Sequence, residues 1–201
     1  MDPYFCCRVV LTGGPGGGKT TAADLFRREL GDQVVIVPEA ATLLYTGGFP
    51  RSAEVEVRKA TQRAIYHVQR NLEDVQFATY KQRILLCDRG TIDGVAYWPD
   101  GQSEYFAHLG TTLEQEISRY DAVVFFESAA VGGISIEGGN PIRTETIEEA
   151  IALNQRLHNV WSQHPKFFYI QHERSFFSKI SKALNVLNSI VKTHHSRMKL
   201  A

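Results

Sequence analysis

The stretch Gly-Gly-Pro-Gly-Gly-Gly-Lys-Thr at residues 13–20 constrains this chain more than any other. It follows the apolar run Val9, Val10, Leu11 and precedes Thr21, Ala22, Ala23, Asp24, Leu25 and Phe26, which read as a helix. Gly13, Gly18, Lys19 and Thr20 complete the pattern G-x-x-x-x-G-K-[S/T], and strand, loop, helix is the context that pattern requires. Average composition produces it by chance in about 1 in 100 chains of this length. Glycines let successive backbone N–H groups turn inward as a nest around an anion. The helix start adds free N–H donors and a positive dipole end. Lys19 can neutralise β- and γ-phosphate charge, and Thr20 can place its hydroxyl on Mg²⁺. The expected ligand is a nucleoside triphosphate, held by Gly13, Gly14, Pro15, Gly16, Gly17, Gly18, Lys19, Thr20 and Thr21.

Elements alternate strand and helix through the 201 residues, with no repeat and no low-complexity linker. That pattern predicts one α/β domain, 1–201, with a parallel sheet covered on both faces. The expected strands are 6–12, Val34–Val37, 83–87, Ala122–Phe126 and 166–170. Lys19–Leu30 is the first helix, and a second runs from Pro38 to Gly47. The long stretch 52–80 carries Ile65, Val68, Leu72 and Val75 at helical spacing. Residues 91–110 read as a short helix plus loops. Thr111 with Glu114 predicts a capping box and a helix to Tyr120; Thr146 with Glu149 predicts another and a helix to Trp161. Phe177, Ile180, Leu184, Leu187 and Val191 stripe a last helix, and 193–201 read as a fraying tail. Residues 129–145 are glycine-rich and long for a passive connection, which suggests a lid; a surface loop is the alternative.

Charge and cysteine usage narrow the setting. Lys plus Arg equals Asp plus Glu at 22 each, so no basic surplus advertises nucleic acid or an anionic membrane. Three cysteines without spaced pairs argue for a reducing compartment. No apolar run reaches transmembrane length and the N-terminus lacks a secretory signal pattern, so the expected location is cytoplasmic. The seven histidines show no metal-ligand spacing with Cys, Asp or Glu, so no zinc site is expected.

In a parallel sheet, ligands bind outside the carboxyl ends of the strands. Position alone therefore selects candidates. Glu39 follows the second strand and is placed to accept a proton from a substrate hydroxyl, or else to act as a first-turn helix acid. Asp88 ends the third strand, the setting of a Mg²⁺-associated carboxylate. Arg89 beside it can clamp phosphoryl oxygens. Arg143 ends the glycine-rich segment, from which an arginine can enter as charge develops. Asp93, Tyr97 and Trp98 read as pocket wall or as core aromatics and a turn residue. Glu127 reads as a strand-end residue. His164 and Pro165 fall at the opposite end of the sheet and read as structural.

Four phrases carry a resemblance: Leu11-Thr12-Gly13-Gly14-Pro15, Val37-Pro38-Glu39-Ala40-Ala41, Cys87-Asp88-Arg89-Gly90 and Arg143-Thr144-Glu145. Together they resemble one branch of the P-loop NTPases, the one with the nicotinamide-riboside kinase domain of NadR and the GTP-binding protein named for a TRPL translocation defect. Trp161 with His164 and Pro165 looks like the second of these. The resemblance spans residues 9–170. It implies a three-layer, nucleoside-kinase-like core with a five-stranded parallel sheet in the order 2-3-1-4-5. It also implies that Lys19 and Thr20 hold triphosphate and Mg²⁺, that Asp88 and Arg89 are the strand-three acid and phosphate-facing arginine, and that Glu39 activates the acceptor hydroxyl. Residues 171–175 then form the purine-contacting loop; with His172, Glu173 and Arg174 in place of a guanine-reading motif, ATP is favoured and GTP stays open.

The resulting expectation is a kinase passing the γ-phosphoryl group of ATP to a small nucleoside-like or nucleotide-like acceptor. Lys19, Glu39, Asp88, Arg89 and Arg143 would be its catalytic residues. The alternative is a slow ATP- or GTP-hydrolysing switch that signals to a protein or lipid partner. A nucleic-acid-linked ATPase is disfavoured by the zero net charge.

Overall fold

The computed structural model describes residues 7–133 and 146–198. Five strands form one sheet: β1 (Arg8–Thr12), β2 (Val34–Val37), β3 (Ile84–Asp88), β4 (Ala122–Phe126) and β5 (Phe167–Ile170). Their order is β2-β3-β1-β4-β5 and every pairing is parallel. This is the expected topology. It follows from runs such as Val9-Val10-Leu11 and Ile84-Leu85-Leu86-Cys87, whose uniform apolarity suits strands covered on both faces.

Alternation within those runs divides the core in two. Val9 and Leu11 of β1 face one side, with Leu86, Val124 and Phe126. There they meet α1 (Lys19–Leu30), through Ala22 and Phe26, and α7 (Phe176–Met198), through Ile180, Leu187 and Val191. Val10 faces the other side with Leu85, Cys87, Val123 and Phe125. That side is covered by α3 (Val55–Thr79), by a 3₁₀ segment (Thr91–Tyr97), by α4 (Gln102–Leu109) and α5 (Leu113–Ile117), and by α6 (Ile147–Trp161). The short helix α2 (Ala40–Thr46) follows β2. Each large apolar side chain so enclosed contributes about 1.5–3 kcal/mol. Cys7 and Cys87 are buried thiols. No helix among the described residues is long and apolar enough to cross a membrane.

Four sequence expectations change. The inner face of α3 is not the Ile65–Val75 stripe: Val75 is 59% exposed, and the buried positions are Thr61, Gln62, Tyr66, Gln69 and Glu73. Buried partners make this polar face tenable, since Glu73 accepts hydrogen bonds from Tyr120 and Arg119. The first capping box sits one residue later than expected. Thr112 is the N-cap, reciprocally bonded with Gln115, while Thr111 donates to Glu116. Helix α7 does not fray at 193 but continues to Met198, because Val191 and His194 stay buried along its inner face. Phe177, the first residue of its expected stripe, is 80% exposed. The Thr146–Glu149 box is present as read. Of the segment expected as a lid, Ala129–Gly132 forms a 3₁₀ turn capped by Ser128, and 134–145, with Arg143, lie outside the described residues.

Candidate active site

The glycine-rich loop leaves β1 beneath the end of β4. Gly13 has φ +131°, and a Cβ there would overlap the carbonyl oxygen of Phe126, so only glycine lets the chain turn this close to the neighbouring strand. Gly18, the N-cap of α1, is left-handed at φ +84° and supplies no side-chain cap, leaving the first-turn N–H groups available to an anion.

Three elements brace the loop from outside. Asn154 Oδ1 on α6 accepts from the N–H of Gly14 at 3.3 Å and of Ser128 at 2.9 Å. The Ser128 hydroxyl donates to the Pro15 carbonyl. Lys179 on α7 is buried and donates to the carbonyls of Gly17 at 3.0 Å and Glu127 at 2.6 Å. Burial pushes the Lys179 ammonium down to about 8, although Glu127 and Glu173 pull the other way. Lys19 folds over the loop, its Nζ donating to the carbonyls of Gly13 and Gly14, each at 3.0 Å.

Asp88 lies beside Leu11 in the β1–β3 register, at the threshold of the loop. Its Oδ2 accepts from Thr20 Oγ1 at 2.9 Å. Its Oδ1 is buried and has no hydrogen-bond partner among the described residues. Burial raises the Asp88 carboxyl and Glu39 raises it further, outweighing Lys19, Arg89 and Thr20. An orphaned carboxylate oxygen next to a hydroxyl suits Mg²⁺, which takes oxygen ligands and relieves exactly this kind of unmet charge.

Arg89 is the centre of the adjoining cluster. Among the described residues it is the non-glycine with positive φ, +72°, a conformation costing about 1–3 kcal/mol. Its N–H donates to Leu11 and its carbonyl accepts from Gln69. The guanidinium donates through Nε to Glu39 at 2.5 Å and through Nη1 to Asp93 at 2.7 Å. Burial disfavours its charge, yet Tyr97, Glu39 and Asp93 outweigh that and raise it well above the ordinary arginine range. Glu39 forms the N-cap position of α2 without capping it. Its side chain turns instead to Arg89 and to the Thr42 hydroxyl at 2.6 Å. Burial pushes the Glu39 carboxyl up, but Arg89, Thr42 and Lys19 together hold it below the usual value.

Asp93 was ambiguous in sequence and is a hub in the fold. Its carboxylate also accepts from Thr12 Oγ1, 2.9 Å from each oxygen, and from the Trp161 indole at 2.7 Å. A cavity of about 150 Å³ opens beside Pro15, Glu39, Arg89 and Asp93, walled by Gln62, Tyr66 and Gln69 of α3 and by Tyr97. Trp98 belongs to the core. Sequence reading missed Gln62, Tyr66, Gln69, Asn154 and Lys179. The first three lie at helical spacing, so a search for polar periodicity would have found them.

Thr21 is exposed on the first turn of α1, and Arg174 is exposed between β5 and α7. Glu127 fixes that connection, accepting from the Tyr169 hydroxyl and from the His172 N–H at 2.7 Å. His164 is buried; Nδ1 accepts from the Lys166 N–H, so Nε2 donates to the Tyr120 carbonyl.

The strand order and the glycine-rich loop define a P-loop fold of the nucleoside-kinase-like kind. A family model described as an AAA domain matches residues 8–177, and the chain belongs to that family. No curated protein matches it in sequence. Among solved structures it is similar to deoxyadenosine kinase from M. mycoides with bound dATP, at 15% identity and a TM-score of 0.63, covering 90% of this chain and 99% of that one. It is also similar to thymidylate kinase from Ehrlichia chaffeensis, at 14% identity and a TM-score of 0.63, covering 92% and 98%. At these identities the likeness is one of fold.

Proposed function

We propose that this chain is an ATP-dependent phosphotransferase acting on a small hydroxyl acceptor. The observation that carries the reading is the Glu39–Arg89–Asp93 cluster opening into a cavity beside Pro15 of the loop. A triphosphate held on the loop by its N–H groups and Lys19 would aim its terminal phosphoryl group at that cavity. Thr20 and Asp88 would hold Mg²⁺, which would supply neutralisation of phosphate charge. Glu39, ionised at neutral pH, would take the proton of the acceptor hydroxyl as its oxygen bonds to the γ-phosphorus and the bond to the β-bridging oxygen breaks, releasing ADP. Arg89 orients that carboxylate and can lend a donor to the transferring group. A carboxylate at this point favours a neutral hydroxyl over a phosphate as the attacking group, because two anions would repel. The narrower kinship with the NadR kinase domain, a lid at 129–145 contributing Arg143, base contact by Arg174, and a cytoplasmic setting belong to the same proposal.

The test is nucleotide turnover with a panel of nucleosides and their monophosphates, in wild type and in Glu39→Gln. An acceptor should stimulate turnover well above the rate with water, and Glu39→Gln should lower that stimulated rate about 10²–10⁴-fold while ATP affinity holds. Turnover that stays slow with every acceptor would favour the switch instead.

A further inference from the structure

Beyond the acceptor cavity lies a second one, of about 460 Å³, sharing the walls Tyr45, Arg51, Gln62 and Tyr97 with the first. Its lining adds Arg58 from α3 and Arg156 from α6. Three arginines from separate parts of the chain thus converge on one space. Arg51 lies over the Tyr45 ring, 4.2 Å from its centroid, and Arg58 donates to the Tyr97 carbonyl at 2.9 Å. None of the three has a carboxylate within ion-pair distance among the described residues. Among the described residues that line the cavity the one acid is Glu149, which accepts from the Thr146 N–H in the α6 capping box. All three side chains are exposed, so solvent screens each one, but three guanidiniums lining one space in a chain of zero net charge make a local positive field that attracts an anion.

Resting on the phosphotransferase reading, we infer that the acceptor carries a phosphate monoester at the end remote from its reacting hydroxyl, held by Arg51, Arg58 and Arg156. The contrast in charge between the two neighbouring cavities sets the orientation. The end at the loop holds the Glu39 carboxylate and receives the neutral hydroxyl. The far end holds three positive charges, which suit a dianion better than a single carboxylate and repel a cationic head group. The substrate class is a phosphorylated alcohol, such as a nucleoside 3′-monophosphate with a free 5′-hydroxyl, rather than a neutral nucleoside.

Two measurements test this. In the first, inorganic phosphate is titrated by calorimetry into protein whose loop is saturated with a non-hydrolysable ATP analogue and Mg²⁺. In the second, nucleosides are compared with their 3′-monophosphates as acceptors of labelled phosphate from ATP. Phosphate should bind the loaded wild type and bind Arg51→Gln and Arg156→Gln at least tenfold more weakly. The monophosphates should show at least tenfold lower KM than the nucleosides, and either substitution should remove most of that advantage. No saturable phosphate binding, or binding indifferent to both substitutions, overturns the inference. So does weakened affinity for the analogue itself, which would assign the arginines to the donor. If neutral nucleosides are phosphorylated as readily as their monophosphates, the inference fails and the kinase reading stands. If phosphate binds as described but no acceptor is phosphorylated, the kinase reading fails and the anion site stands.

Discussion

Replacing Asp93 with asparagine keeps the shape of a buried side chain and removes its charge, and the hydrogen-bond geometry leaves the amide no satisfactory orientation. Oδ1 accepts from the Trp161 indole at 2.7 Å and Oδ2 from Arg89 Nη1 at 2.7 Å. With its nitrogen at the Oδ2 position, the amide sets donor against donor at Arg89; flipped, it does the same at Trp161. Thr12 can rotate to suit either, so one conflict always remains. The charge-assisted bond lost is worth about 1.5–3 kcal/mol, and a buried guanidinium N–H is left unpaired. Glu39 still neutralises Arg89, which keeps the total near the lower end for a broken buried pair, about 3 kcal/mol. For a domain of this size that lowers the melting temperature by about 6–12 °C. Urea and thermal unfolding of wild type and Asp93→Asn, followed by circular dichroism without nucleotide, measure it. A difference under about 0.5 kcal/mol, the level of an ordinary surface change, would refute the role assigned to this carboxylate.

Two further outcomes are expected. Gly13→Ala places a methyl group against the Phe126 carbonyl at a φ that alanine resists, so it should lower thermal stability and abolish tight triphosphate binding together, read by melting with and without ATP·Mg²⁺. Lys179 binds a proton less readily when folded, about 8 against 10.5. Between those values the unfolded chain keeps a proton that the native state has released, so raising the pH through this window stabilises the fold, by up to about 3 kcal/mol. The wild-type urea midpoint should therefore gain on that of Lys179→Met from pH 8 to 10.5, and parallel curves would contradict the assignment.

Regular elements were legible because their signals are local. Uniform apolar runs marked the strands, glycines marked the helix ends, and parallel strands then put residues 13–20, Glu39, Asp88 and Arg89 at one edge of the sheet. The strand order came with the resemblance rather than from periodicity. What could not be read depended on partners distant in sequence. Apolar spacing chose Val75 on α3, whereas Gln69 and Glu73 are buried because Ala40, Arg89, Arg119 and Tyr120 offset their desolvation. Lys179 breaks an apolar stripe and looks like a solvated lysine, yet its acceptor on Gly17 lies 162 residues away. The capping box slipped by one because Thr111 and Thr112 each have a Glu or Gln three residues on, and only the extended backbone at Thr112 decides between them.

The bond between Trp161 and Asp93 has a practical side. The chain holds two tryptophans, and the other, Trp98, packs edge-on against Tyr105 with its N–H on Glu104. Trp161 is fully enclosed, and its indole N–H shares a carboxylate with Arg89, which lines the cavity beside the glycine-rich loop. Anything that draws Arg89 away changes the electric field along that indole, so Trp98→Phe leaves a single tryptophan, coupled to the site through Asp93. Ligands for an unlabelled protein can then be sought by emission colour alone, without any measurement of turnover.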